Sequence, residues 1–246
     1  METATENMIV VNNLTKKFGR FVANNHLCFE VKKGEIFGFL GANGAGKTTA
    51  IKILCGLSKP TSGEVNVAGF NIYTQQNLIK KNIGYMSQRF SLYEDLTIVE
   101  NIRFYAGIYG LQKKVIKEKT QILIEMLALE KAKDKLIKDL PLGWKQKLAL
   151  SVAVFHEPKI LFLDEPTSGV DPITRRQFWE MIYEIAERGI TVFITTHYMD
   201  EAEYCNRVSI MVEGKIVALN TPTELKRTFQ SKNMNEVFLQ LARNKE

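Results

Sequence analysis

With 246 residues, 45% of them hydrophobic and 24% charged, the chain can bury a sizeable core and has the composition of a soluble globular protein, not a disordered or fibrous one. Its 33 basic and 27 acidic residues leave a net charge of +6, a weak bias that suits nucleic acid or an anionic membrane surface. No run approaches the roughly 18 consecutive apolar residues of a membrane span, and the start, METATENMIVV, lacks the basic-then-apolar order of a secretory signal. The expectation is a chain that neither spans a membrane nor is secreted. Cys28, Cys55 and Cys205 are odd in number and widely separated, which favours a reduced, cytoplasmic setting and gives them no assigned role.

In chain order, MIVVNNL (8–14), HLCFEVK (26–32) and GEVNVAG (63–69) alternate apolar and polar residues and predict a small antiparallel sheet. Among them EIFGFL (35–40) reads as a short buried strand and TTAIKILCGL (48–57) as an amphipathic helix. The segment that joins them, GANGAGKT (41–48), fits GxxxxGK[ST] at every fixed position. A glycine-rich turn that opens a helix aims backbone N–H groups and the positive end of the helix dipole at one point, where a polyphosphate fits. Gly41, Gly44 and Gly46 allow close backbone approach. The binding set is Gly41, Ala42, Asn43, Gly44, Ala45, Gly46, Lys47, Thr48 and Thr49, with Lys47 on the β- and γ-phosphates and the Thr48 hydroxyl on Mg²⁺.

From 96 to 156 the period turns helical, through TIVENIRFYAGIYG, a Lys-rich stretch over 113–138 and GWKQKLALSVAVF. The lysines alternate with glutamates and with Ile116, Ile122, Leu123, Leu127 and Leu129, the pattern of solvated faces on amphipathic helices. Strand signals return at KILFLD, ITVFITT and RVSIMVEGKIVALN, separated by helical patterns at ITRRQFWEMIYEIAER and YMDEAEYC. That alternation predicts a mostly parallel sheet with an inserted helical subdomain. TPTELKRTF opens a terminal helix, and the last residues are polar. ILFLDEP (160–166) ends a buried strand in two carboxylates, at the edge where ligands of open α/β sheets bind. Asp164 is the Mg²⁺ candidate, and Glu165, directed the other way, is the group to take a proton from the attacking water. The other reading of the pair is a cap on the following turn.

Together, GANGAGKTT, LDEPTSGVDP and TTHYMDEAE resemble the ATP-binding subunit of an ATP-binding cassette (ABC) transporter, most like the multidrug or ABC-2-type exporter group, over about residues 11–225. The resemblance implies an α/β fold: a P-loop NTPase (RecA-like) core with an N-terminal antiparallel β subdomain and an inserted α-helical subdomain. It implies one domain, with core and β subdomain at about 8–88 and 158–220, helical subdomain at about 89–157 and a helical tail at about 221–246. ATP and Mg²⁺ are the implied cofactors. Phe18, in KKFGRF, matches the aromatic that stacks on adenine, with Phe21 as rival; Gln88, in YMSQRF, matches the glutamine that reaches Mg²⁺ and water. Asp171, in SGVDP, matches the aspartate between paired cassettes, and His197 matches the histidine that contacts the γ-phosphate and steadies Glu165.

One motif departs from the family. Where LSGGQ is usual the chain reads LPLGW (140–144), with Gly143 at the second glycine and Pro141 in place of the serine. A lost charge-assisted hydrogen bond there is worth roughly 1.5–3 kcal/mol, yet proline is tolerated at a helix start. With Lys47, Gln88, Asp164, Glu165 and His197 all present, hydrolysis is expected to persist. The implied partners are a transmembrane permease subunit and a second ATP-binding subunit, identical or paralogous, with no nucleic acid. RFSLYEDLTIVEN (89–101) suits the permease contact, which places the chain on the inner face of the cell membrane. The alternatives are a cassette ATPase acting on ribosomes or another non-membrane partner, or a regulatory subunit with weak hydrolysis.

Overall fold

The computed structural model describes residues 6–88 and 92–243. The chain opens with two long strands, β1 (Asn7–Phe18) and β2 (Phe21–Lys32), where the sequence pattern marked only their ends. They form a hairpin whose turn includes Gly19 at φ 58, a left-handed position that favours glycine. Next come β3 (Ile36–Gly41), α1 (Lys47–Leu54), β4 (Ser62–Val67), β5 (Phe70–Asn71), α2 (Gln76–Asn82) and β6 (Ile83–Met86). The helical layer follows with α3 (Ile98–Ile108), α4 (Lys113–Met126), a 3₁₀ turn at Ile137–Asp139 and α5 (Leu142–Val154). The chain then returns through β7 (Ile160–Asp164), α6 (Pro172–Glu187), β8 (Thr191–Thr196), a 3₁₀ helix at Met199–Tyr204, β9 (Arg207–Val212), β10 (Lys215–Asn220), α7 (Pro222–Thr228) and α8 (Met234–Arg243).

Two sheets result. One is antiparallel, ordered β2-β1-β4-β5; the other is ordered β10-β9-β3-β8-β7-β6. In the second sheet β9, β3, β8, β7 and β6 run parallel, and β10 closes the edge as an antiparallel hairpin with β9. β3, β7 and β8 are buried along their whole length, as strands covered on both faces must be. A layer of phenylalanines joins the sheets: Phe29 of β2 lies with its ring centroid 5.6–6.1 Å from those of Phe37, Phe39 and Phe193. Separations in that range are those of attractive aromatic pairs.

The helical layer packs on the other face through Leu148, Leu150, Leu161, Leu163, Phe178, Trp179 and Ile194. α3 is opened by a capping box in which Thr97 and Glu100 each satisfy the other's backbone N–H. Within the Lys-rich stretch only Lys113–Met126 is α-helical. Ala128, at φ 50, takes the left-handed turn that ends such helices. YMDEAEYC likewise forms a 3₁₀ helix, not an α-helix. Burial of Met199 and Ala202, three residues apart, suits its three-residue turn.

Candidate functional site

The carboxyl ends of β3, β7 and β8 meet at one edge of the parallel sheet. β3 runs into the glycine-rich loop, β7 ends at Asp164, and β8 ends one residue before His197. α1 begins at Lys47 with Gly46 as its N-cap, without a side-chain cap and without an acidic residue in its first turn. Its leading N–H groups have therefore no side-chain acceptor and face the loop's concave side. Glycine is required at 46: φ is 103, and a Cβ would lie 2.2 Å from the Ala23 carbonyl oxygen. Gly41 is confined in the same way, its missing Cβ 2.5 Å from the Met211 carbonyl. The buried Asn24 holds the loop from β2, donating to the Gly46 carbonyl at 3.1 Å.

Four of the expected catalytic residues converge. The Lys47 ammonium donates to the carbonyls of Gly41 at 2.8 Å and Ala42 at 3.1 Å, and pairs with Glu165 Oε1 at 3.1 Å. Glu165 Oε2 takes Gln88 Nε2 at 3.0 Å and lies 3.0 Å from His197 Nδ1. Lys47 and Glu165 are both nearly buried, so the pair is shielded from water and each charge depends on the other. The expected opposition of Asp164 and Glu165 arises from a turn, not from the strand pleat. β7 ends at Asp164, and Glu165 adopts φ 48, a left-handed conformation that costs a non-glycine residue and clusters at functional sites. Its N–H is held by the carbonyl and hydroxyl of Thr195, both at 3.1 Å.

Asp164 faces the other side of the loop. Its Oδ1 accepts from Thr195 Oγ1 at 2.6 Å and lies 3.4 Å from Thr48 Oγ1. Burial raises the Asp164 carboxyl above its usual range, opposed by the Thr195 and Thr48 hydroxyls. Thr195 is the residue that motif spacing did not single out; its signal was the threonine pair closing ITVFITT. The Gln88 amide nitrogen donates to Glu165, and Gln88 lines the same cavity as Thr48.

The loop bounds a cavity of about 250 Å³ lined by Phe21, Ala23, Asn43, Gly44, Gly46, Lys47, Thr48, Thr49, Gln88 and Glu165. Phe18 is not in that lining. It sits across the hairpin from Phe21, its direct register partner, and both rings are more than half exposed. Lys16 Nζ stands 5.0 Å from the Phe18 centroid. Gly143 and Asp171 lie apart from this cavity, in a second groove with Pro141, Leu142, Trp144 and Thr174.

Residues 24–168 match the family described as ABC transporter. The chain belongs to the ABC transporter family. The cassette is 48% identical to the probable multidrug ABC transporter ATP-binding protein YbhF of Escherichia coli K12, covering 97% of this chain and 42% of that protein. It thus spans less than half the length of that curated relative. It is 38% identical to the linearmycin resistance ATP-binding protein LnrL of Bacillus subtilis, over 89% of this chain and 70% of LnrL. Among solved structures, the ATP-binding cassette MJ0796, a dimer in a post-hydrolysis state with ADP and Pi, superposes with a TM-score of 0.78 at 25% identity, covering 87% of this chain and 98% of that one.

Within the cassette, the groove at LPLGW is built by two helix starts. α5 begins at Leu142 with Pro141 as N-cap and no side-chain cap. α6 begins at Pro172, capped by Asp171, whose side chain accepts from the N–H of Ile173 and Thr174 and from the Thr174 hydroxyl. Those bonds hold the Asp171 carboxyl below its usual range, the Thr174 hydroxyl first among them. A Cβ on Gly143 would meet Thr174 Cγ2 at 2.7 Å, so glycine lets the two helix ends approach. Lys147 stands over the Trp144 ring, 5.2 Å from its centroid.

Proposed function

We propose that the cassette binds ATP with magnesium and hydrolyses it, and that pairing with a second cassette around the nucleotides drives export through a separate transmembrane subunit. The observation that carries the reading is the convergence of Lys47, Gln88 and His197 on the Glu165 carboxylate, each within 3.0–3.1 Å. A cavity of about 250 Å³ falls short of the roughly 300–1,000 Å³ of small-molecule pockets. It suits the phosphates, with the base outside against an exposed aromatic of the β1–β2 hairpin.

The donor set fits magnesium. Thr48 Oγ1 and Asp164 Oδ1 stand 3.4 Å apart, and among the described residues no cluster of three or more His, Cys, Asp or Glu forms a protein cage. Two protein oxygens completed by phosphates and water are how this ion binds at nucleotide sites. When bound, it offsets phosphate charge and orients the terminal group.

Arrival of the triphosphate gives Lys47 a stronger anion than Glu165. Its ammonium transfers to the phosphates, and Glu165 is left with Gln88 and His197. Glu165 then takes a proton from water as the water oxygen bonds to the γ-phosphorus and the bond to the bridging oxygen of ADP breaks. Lys47 and the N–H groups of the loop meet the charge that develops. His197 holds Glu165 in position through Nδ1. Gly143, Asp171 and the start of α5 complete the site of a second cassette, since they line a groove separate from the phosphate loop.

Export is favoured because YbhF is named a probable multidrug ABC transporter ATP-binding protein and LnrL a linearmycin resistance protein. Among the described residues no helix is long and apolar enough to cross a membrane; the transmembrane partner is proposed from the transport roles named for these relatives. Tyr93 and Phe104, both exposed and edge-to-face at 4.9 Å, offer an apolar contact for it beside α3. Residues 89–91 of the expected contact segment lie outside the described residues.

Glu165→Gln tests the reading. ATP affinity is expected to hold while phosphate release falls at least about 100-fold, the usual contribution of a general base, and a dimer persists with ATP. Wild-type turnover in that variant removes Glu165 from the mechanism.

A further inference from the structure

We infer that Glu201 is a positioning residue for hydrolysis, holding the turn that runs from Glu165 to Asp171 against the loop that carries His197. The inference rests on the ATPase reading of the site. Glu201 lines neither the cavity nor the glycine-rich loop, and it is completely buried in the 3₁₀ helix that follows His197. Its Oε1 accepts from Thr167 Oγ1 at 2.5 Å. Thr167 is itself buried, two residues past Glu165 in a turn closed by the Ser168 N–H on the Glu165 carbonyl at 3.2 Å.

The other end of Glu201 leads to His197. The Glu201 N–H donates to the Tyr198 carbonyl at 3.2 Å, and the Tyr198 N–H to Thr196 Oγ1 at 3.0 Å. These contacts bracket His197. Arg175 closes a ring around the same carboxylate. Its Nε lies 3.7 Å from Glu201 Oε1, Nη1 lies 3.5 Å from Asp200 Oδ2, and the guanidinium stands 4.2 Å from the Tyr198 ring centroid. Its backbone N–H returns to the Asp171 carbonyl at 3.0 Å. One buried carboxylate thus joins the Glu165 turn, the cap of α6 and the His197 loop.

A static core does not need a carboxylate here. An apolar side chain of similar volume avoids the desolvation of a charge. The cluster is also incompletely paired: Glu201 Oε2, Trp179 Nε1 and Arg175 Nε are buried without a hydrogen-bond partner. Trp179 and Thr196 nevertheless face the carboxylate, and burial raises its proton affinity against their opposing effect and that of Thr167. The Glu201 carboxylate thus faces Thr167, Thr196, Trp179 and Arg175 at once, so a displacement at Asp171 is passed through it to His197 and Glu165.

The test is a double-mutant cycle on Mg-ATP turnover by the full chain, with melting temperatures measured in parallel. Thr167→Val removes the hydroxyl at constant volume, Thr167→Ser keeps it, and Glu201→Gln keeps an acceptor without the charge. In Thr167→Val, kcat is expected to fall at least about tenfold with KM within about twofold, the pattern of a contact that acts only in the transition state. Thr167→Ser restores turnover, and Glu201→Gln combined with Thr167→Val is no slower than Thr167→Val alone, as for residues acting through one bond. Unchanged kcat in Thr167→Val, a KM that rises as kcat falls, or a loss that follows melting temperature and is shared by Thr167→Ser overturns the inference. No turnover in the wild-type chain instead removes the ATPase reading beneath it.

Discussion

At the scale of single residues, the Lys47–Glu165 pair defines a resting arrangement in which the phosphate-binding ammonium is held by the group proposed as base, 3.1 Å away and almost out of solvent. Such a pair is stable only while both members remain, because removal of either leaves a buried charge alone. Which aromatic meets adenine in the proposed complex depends on position at the hairpin tip. Phe21 lines the cavity and Phe18 does not, so Phe21→Ala is expected to weaken ATP binding several-fold, by about 1 kcal/mol for a lost stacking contact, and Phe18→Ala to have the smaller effect. Calorimetric titration of both variants decides between them, and the reverse order returns the role to Phe18. Motif position favours Phe18 with Phe21 as rival, because linear spacing does not tell which of two register partners turns to the cavity.

At the scale of elements, the start of α5, part of the interface proposed for a second cassette, has no side-chain cap. Pro141 occupies the N-cap but offers no side-chain acceptor. Pro141→Ser is expected to restore the serine hydroxyl's charge-assisted bond, worth roughly 1.5–3 kcal/mol, and to tighten ATP-dependent pairing at least about tenfold. Sedimentation in a Glu165→Gln background measures it, and unchanged pairing would show that LPLGW works without the hydroxyl. The strand–loop–helix of 35–57 and the strand ending in Asp164–Glu165 were legible because local patterns encode them: apolar runs, glycines and flanking charges at fixed offsets. Thr195 and the Glu201–Thr167 bond were not, since they depend on the register of β7 beside β8 and on how α6 packs. Likewise Ala128 carries no turn signal of its own, so the Lys-rich stretch read as helix beyond its true end at Met126.

At the scale of the whole molecule, the helical layer is tied to the parallel sheet at His156, which follows α5. Its Nε2 meets the Ile83 carbonyl at 3.0 Å, and its ring stacks on Tyr109 with centroids 3.5 Å apart. Burial lowers its pKa to about 4, with Lys119 acting in the same direction and the Ile83 contact opposing. In the unfolded chain the group titrates near an ordinary value of about 6.5, so between these two values the unfolded state binds more protons. Stability from this site is therefore present above about pH 6.5 and is lost as pH falls toward 4. Urea midpoints recorded from pH 7 down to 4.5 are expected to decline more steeply for the native chain than for His156→Phe. Parallel slopes would remove His156 as the cause.

The most direct test of the account is a crystal structure of the cassette with magnesium and a non-hydrolysable ATP analogue. The prediction is phosphates against the N–H groups of 43–49, the metal at Thr48 and Asp164, and Lys47 Nζ moved from Glu165 to the phosphates while Gln88 and His197 stay. A nucleotide bound elsewhere, with Lys47 still paired to Glu165, would contradict it.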